Sequence, residues 1–180
     1  AEREQIKKIL VALKSMNDDQ REQGVRTAAN LAFSDLAKRK FAEIGALELF
    51  TRLLSDKREI SIHAAGTLCN VFLLPEMKQN LDDSLLLAIF RLLSSNLNSY
   101  HQKVVLQTLT SIVYNDERCA EAVYRHPQFS LLRDIETTGA DKVVRNQLGQ
   151  LFSALYAQVT REDGDKAGLH ALNIEVRLVY

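Results

Sequence analysis

Four histidines, His63, His101, His126 and His170, are the side chains best suited to hold a metal or to move a proton near neutral pH. They are far apart and form no metal-type set with cysteines or carboxylates. Cys69 and Cys119 stand fifty residues apart, outside any short metal-type or redox-type spacing, and read as two reduced thiols, at least one of them buried. The acidic stretch Glu162-Asp163-Gly164-Asp165 is calcium-loop-like in composition. It lacks the alternating order and the closing Glu that such a loop needs, so it reads as a hydrated turn. Asp82-Asp83 suits a helix cap. The seven glycines never cluster, which excludes a phosphate-cradling loop, and no serine sits in a nucleophile-elbow pattern. These spacings support no catalytic set. The expectation is a protein that is not an enzyme, with no metal, no cofactor and no small-molecule substrate.

What does recur is a pattern. Val25-Arg26-Thr27-Ala28-Ala29-Asn30-Leu31, Ala64-Ala65-Gly66-Thr67-Leu68-Cys69-Asn70-Val71, Val105-Leu106-Gln107-Thr108-Leu109-Thr110-Ser111-Ile112 and Val144-Arg145-Asn146-Gln147-Leu148-Gly149-Gln150-Leu151 look like copies of one another. Leu68, Leu109 and Leu148 are spaced by 41 and 39, and Asn30 and Asn70 by 40. A period near forty marks a helical solenoid, in which each repeat buries its apolar face only against its neighbours. The chain has 180 residues, 46% hydrophobic and 26% charged, with only two prolines. That scarcity of breakers suits helices joined by short turns and suits a sandwich or barrel badly.

The elements that must carry the pattern follow from apolar spacing and caps. Ile6, Ile9, Leu10 and Leu13 predict a helix over 3–16, and Asn17-Asp18-Asp19 breaks it and caps the next, over 20–34. Ser34-Asp35 caps a short helix up to Glu43, and Gly45 punctuates before a helix over 46–54. The order short helix, helix, turn, long helix then repeats over 75–114 and over 116–158, with Pro75 and Pro127 where helices begin or break. The domain expected is 1–158. Residues 159–180 read as a polar loop followed by an apolar tail, in which Ile174, Val176 and Leu178 alternate with Glu175 and Arg177. A loose end and a segment docked on the last repeat or along a groove are both open for it, and its many apolar groups favour docking. The chain lacks an initial Met and starts inside a helical pattern, as an excised domain would.

Ala64-Ala65-Gly66-Thr67-Leu68-Cys69-Asn70-Val71, Ala42-Glu43-Ile44-Gly45-Ala46-Leu47-Glu48-Leu49 and Leu53-Leu54-Ser55-Asp56 resemble the conserved core, entry and turn of armadillo repeats over residues 5–158. The resemblance is good in the first two repeats and weaker in the last two. It implies an all-α, right-handed α-solenoid of about four armadillo- or HEAT-like repeats, with the third helix of each lining a concave groove. It also implies that an Asn on each third helix bonds the backbone of an extended ligand, with a Trp one turn earlier stacking on ligand side chains. Asn30 and Asn70 match the Asn position, with Ser111 and Gln150 as the counterparts. Arg26, Gly66, Gln107 and Asn146 occupy the Trp position. The chain has no Trp, which argues against capture of basic localisation peptides. A carboxamide offers an acceptor and two donors, so one side chain can bridge a peptide N–H and C=O. Tying of adjacent helices by the same groups is the competing expectation, and plain solvent exposure is a third.

The expected partner-binding set is therefore Arg26, Asn30, His63, Asn70, Lys103, Gln107, Ser111, Asn146 and Gln150, with Gln23, Thr27, Thr67 and Arg145 beside them. That set is polar and slightly basic, without a carboxylate, and would suit an acidic protein or peptide partner. The function expected is an interaction scaffold or adaptor. Self-assembly into a homo-oligomer through solenoid ends is the alternative. Nucleic acid is disfavoured, because Lys+Arg and Asp+Glu balance at 23 each. Lys38-Arg39-Lys40 reads as a solvated basic run. No apolar run is long enough to span a bilayer, no signal peptide opens the chain, and the thiols suit the cytoplasm or nucleus.

Overall fold

The computed structural model describes residues 2–159, and the expected loop and tail over 159–180 lie outside them except for Val159, the last residue of the last helix. Ten α-helices and one 3-10 helix follow in order: α1 (Glu2–Leu13), α2 (Asp18–Leu31), α3 (Asp35–Glu43), α4 (Ala46–Leu53), α5 (Arg58–Phe72), the 3-10 helix (Pro75–Asn80), α6 (Asp83–Ser94), α7 (Ser99–Val113), α8 (Glu117–Tyr124), α9 (Ser130–Thr137) and α10 (Lys142–Val159). There is no strand among the described residues. The chain divides into two compact units between Leu92 and Leu93, inside α6.

Helix starts are written in the sequence. Asn17 accepts from the Gln20 N–H at 3.0 Å, Asp82 from Leu85 at 2.8 Å, Asn98 from His101 at 2.8 Å, Asp116 from Cys119 at 2.8 Å and Asp141 from Val144 at 3.1 Å. Each satisfies one of the amide groups that a helix start leaves without a partner. Asp82 is thus a cap, as its position suggested.

In the first unit α1 packs on α2, and α2 packs on α5. Ile6, Ile9 and Leu13 form the buried stripe of α1, and Gly24, Val25 and Ala28 that of α2. Gly24 lets the two helices come close: a Cβ built there would lie 2.8 Å from the Ala12 Cβ. Phe41 of α3 and Phe50 of α4 meet edge to face, with ring centroids 5.4 Å apart. α5 is buried on several sides, so even Ser61 and Thr67 are covered. Their hydroxyls donate to the Arg58 and His63 carbonyls at 2.9 and 2.8 Å.

A charge cluster clamps this unit. Arg21 donates to both oxygens of Asp56 at 2.9 and 3.1 Å, to Asp18 at 2.6 Å and to the Ser15 carbonyl at 3.0 Å. Lys57 also bonds Asp18. The start of α2 is thereby tied to the turn between α4 and α5. Arg21 and Asp56 side chains are only 16% and 17% exposed, which sets this two-pronged pair apart from an ordinary surface ion pair.

In the second unit α10 packs on α7, α8 and α9. Leu106, Leu109 and Ile112 of α7 and Val144, Leu148, Leu151 and Leu155 of α10 are fully buried. Phe129 stacks edge to face with both Tyr124 and Phe152. A polar bond crosses the core: buried Gln147 of α10 donates to the Thr110 hydroxyl of α7 at 3.2 Å, and Thr110 donates to the Leu106 carbonyl at 2.8 Å. This satisfies a carboxamide that would otherwise be costly to bury.

The basic run over 38–40 is only partly solvated, with Lys38 buried, Lys40 half-buried and Arg39 exposed as read. Lys38 is buried and bonds Asp35 at 3.3 Å, Arg39 bonds Glu76 at 2.7 Å and Lys40 bonds Glu43 at 3.0 Å. All three charges are spent inside the first unit, because α3 has a carboxylate one turn away on either side and another on the 3-10 helix.

Candidate functional site

The long helices α2, α5, α7 and α10 carry every residue of the expected binding set. In the first unit Asn30 lies at the end of α2 and Asn70 near the end of α5, on two helices that pack together. Asn30 is exposed and Asn70 half-buried. Neither carboxamide is hydrogen-bonded among the described residues. One turn before Asn70, Gly66 faces open space, with nothing within 4 Å of a Cβ built there. One turn before Asn30, Arg26 is held by Glu22 at 2.6 Å. That carboxylate cancels a charge which the sequence pattern counted as available. His63 bonds the Glu59 carbonyl through Nδ1 at 2.9 Å. Thr67, expected on the groove wall, is fully buried and turned onto its own helix.

In the second unit Lys103, Gln107 and Ser111 stand one turn apart along α7, and Asn146 and Gln150 one turn apart along α10. Asn146 is exposed, whereas Lys103, Gln107 and Gln150 are half-buried. Ser111 is 2% exposed, so its hydroxyl is covered as the structure stands. Gln150 accepts from Gln147 at 3.3 Å. Asp141 accepts from the Ser99 hydroxyl and from the Val144 and Val143 amides. These bonds, the Ser99 one first, hold its carboxyl below the usual carboxylate range although burial works against them, and the charge of Arg145 adds to the effect. The cap of α10 is therefore charged throughout the physiological range.

The sequence pattern missed Lys142. It follows Lys103 by 39 residues, the same step that separates Gln107 from Asn146 and Leu109 from Leu148. Applying the repeat step to every residue, rather than to the apolar ones and the Asn positions, is the signal that finds it.

The remaining chemically capable groups have structural employment. Neither Cys69 nor Cys119 is in a disulfide; Cys119 is fully buried and Cys69 half-buried. His126 accepts from the Gln128 amide at 3.2 Å, and His101 lies against Tyr100. Among the described residues no three of His, Cys, Asp and Glu are grouped as metal ligands, and no helix is long and apolar enough to cross a membrane.

Solved structures place this arrangement of helices. An engineered protein from the Northeast Structural Genomics Consortium superposes with a TM-score of 0.77 at 18% identity, over 93% of this chain and 76% of that one. A designed armadillo repeat protein superposes with a TM-score of 0.78 at 16% identity, over 93% of this chain and 70% of that one. The fold is armadillo-like. A second, longer engineered protein from the same consortium matches with a TM-score of 0.78 at 18% identity, and this chain spans 40% of its length. No family model matches the sequence, and no curated protein does. At these identities the likeness fixes the armadillo-like, all-α helical-repeat fold of the chain and nothing finer.

Proposed function

We propose that this armadillo-like chain is a non-enzymatic interaction scaffold that holds an extended segment of a protein partner along packed long helices such as α2 and α5. One observation carries the reading. Asn30 and Asn70 recur at the repeat step on packed helices, and both carboxamides are free of hydrogen bonds among the described residues. Groups that tied adjacent helices together would be spent, as Gln147 is. Unspent carboxamides can instead bridge the N–H and C=O of an extended backbone, and leave the partner's side chains to set specificity. Open space at Gly66 leaves room for those side chains. Two cysteines outside any disulfide suit a cytoplasmic or nuclear setting.

The test is affinity capture with the full chain and with Asn30→Ala plus Asn70→Ala. Both positions are off the core, so the double variant should melt within about 1 kcal/mol of the parent and lose the partners that the parent retains. A folded double variant that keeps every partner refutes the reading.

Self-association is the second reading, and a different observation favours it. Met16 is 95% exposed, and Val11, Phe33 and Leu36 of the same unit are each more than 60% exposed. Large apolar groups left in water favour association with a like surface. Light scattering over a concentration series decides it: a mass that stays monomeric at high concentration eliminates this reading.

A further inference from the structure

Building on the peptide-binding reading, we propose that the α7/α10 face of the second unit is an acid-reading subsite, in which Lys103, Lys142 and Arg145 engage Asp or Glu side chains of a bound segment. Lys103 and Lys142 sit at equivalent repeat positions on two packed helices, each one turn before the polar pair Gln107 and Asn146. No ion pair among the described residues takes in either lysine. The first turns of α7 and α10 contain no acidic residue. Asp141, the residue before α10, is a carboxylate beside this face. It is occupied as the cap of α10 by Ser99 and by backbone amides, and it offsets one of three positive charges.

The first unit is built differently. α2 opens on Asp18 and Asp19, α5 has Glu59 in its first turn, and Arg26 is neutralised by Glu22. Free cations on the long helices are thus concentrated in the second unit, although the whole chain carries no net charge. Unpaired cations on a face that also offers carboxamides match a segment whose carboxylates accompany an extended backbone. Complementary charge of this kind sets specificity and encounter rate more than raw affinity.

The assay is fluorescence anisotropy with two labelled ten-residue probes, an alternating Glu-Ala peptide and its Gln-Ala counterpart, titrated with the full chain at low and at physiological salt. The Glu probe should bind about ten-fold more tightly at low salt, and the margin should shrink as salt screens it. Lys103→Gln, Lys142→Gln and Arg145→Gln together should erase the margin and leave the Gln probe unchanged. Asn30→Ala plus Asn70→Ala, in the first unit, should leave the ratio of the two affinities unchanged. Should the triple variant fail to fold, the exposed single change Lys142→Gln reads the same effect as a loss of about two- to three-fold on the Glu probe alone.

Equal binding of the two probes, or a margin that survives the substitutions, overturns the subsite and leaves the scaffold reading standing. Binding of neither probe at millimolar protein overturns both. A ten-nucleotide oligouridylate that binds more tightly than the Glu probe, and loses its binding in the triple variant, overturns the acidic-peptide assignment in favour of nucleic acid.

Discussion

The same substitution at two glycines of adjacent, packed helices should act with opposite signs. Gly24 of α2 faces α1, and an Ala there would place its methyl 2.8 Å from the Ala12 Cβ and 3.4 Å from the Leu13 amide nitrogen. Carbon atoms rest at about 3.5–4.0 Å, so α1 must retreat by roughly 1 Å along the stripe that Ile9 and Leu13 share with α2. Neither obstacle is the tip of a flexible side chain that can swing away. Overpacking of this kind costs about 1–3 kcal/mol, and replacing a helical Gly returns about 1 kcal/mol of backbone entropy. The net expectation for Gly24→Ala is a loss of about 1 kcal/mol. Gly66 of α5 has nothing within 4 Å of the new methyl. Only the helix-propensity gain operates there, so Gly66→Ala should stabilise by about 0.5–1 kcal/mol. Urea titrations followed by circular dichroism at 222 nm should separate the two variants by about 2 kcal/mol, with the parent between them. A Gly24→Ala protein as stable as the parent would refute the close approach of α1 and α2. A destabilised Gly66→Ala protein would refute the open wall at the position where the family resemblance expects Trp.

Acid should loosen the first unit. Burial pushes the Asp56 carboxyl up, but the Arg21 hydrogen bond, the Lys57 amide and the Arg21 charge together hold it below its ordinary value; Asp18 is held down by bonds from Lys57 and then Arg21. Both shifts are depressions, so their stabilisation is complete above the unfolded carboxylate pKa near about 4 and is lost as pH falls through the lower folded values. Lys57 is raised, chiefly by its bond to Asp18, so its share is complete below about 10.4 and is lost as pH climbs through the raised value. Melting curves from pH 2 to 7 should show a flatter acid limb for Asp56→Asn than for the parent, and matching limbs would discount the clamp. Phe50→Ala removes a fully buried ring that Phe41 packs against, and should cost about 3–5 kcal/mol by urea titration. Thiol titration should modify Cys69 first and reach fully buried Cys119 only on unfolding, so two equally fast thiols would contradict the packing of α8.

The fold was legible because each level of the sequence pointed the same way. Leu68, Leu109 and Leu148 mark the repeat step, and all three are fully buried. Asn17, Ser34, Asp82, Asn98 and Asp116 stand where helices start, and each accepts the amide hydrogen bond that such a position asks for. Apolar periodicity and caps are local properties, so one chain read in isolation displays them. The candidate faces were less legible because charge is a property of pairs. Arg26 looked available until Glu22 closed on it one turn away, and Arg39, exposed as read, has a partner in Glu76, 37 residues beyond it. Thr67 looked like groove wall because a threonine on a helix can either face out or bond its own preceding turn, and the sequence pattern does not tell these apart.

Energetics constrain how such a scaffold would work. Asn30 and Asn70 together can make about four hydrogen bonds to an extended backbone, each worth a net of about 0.5–1.5 kcal/mol. Their sum of about 2–6 kcal/mol stands against an association cost of about 4–15 kcal/mol. Two carboxamides alone would therefore hold a segment in register without holding it tightly. In the family pattern the aromatic residue one turn earlier adds buried area at each step, and here Arg26, Gly66, Gln107 and Asn146 take its place. None of the four supplies comparable apolar surface. Affinity must then come from other contacts spread along the segment, charged ones among them. Such binding would be fast, salt-sensitive and additive along the segment. Halving the number of acidic residues in a bound segment should weaken it more than removing either carboxamide alone, and the reverse ranking would show that backbone capture dominates.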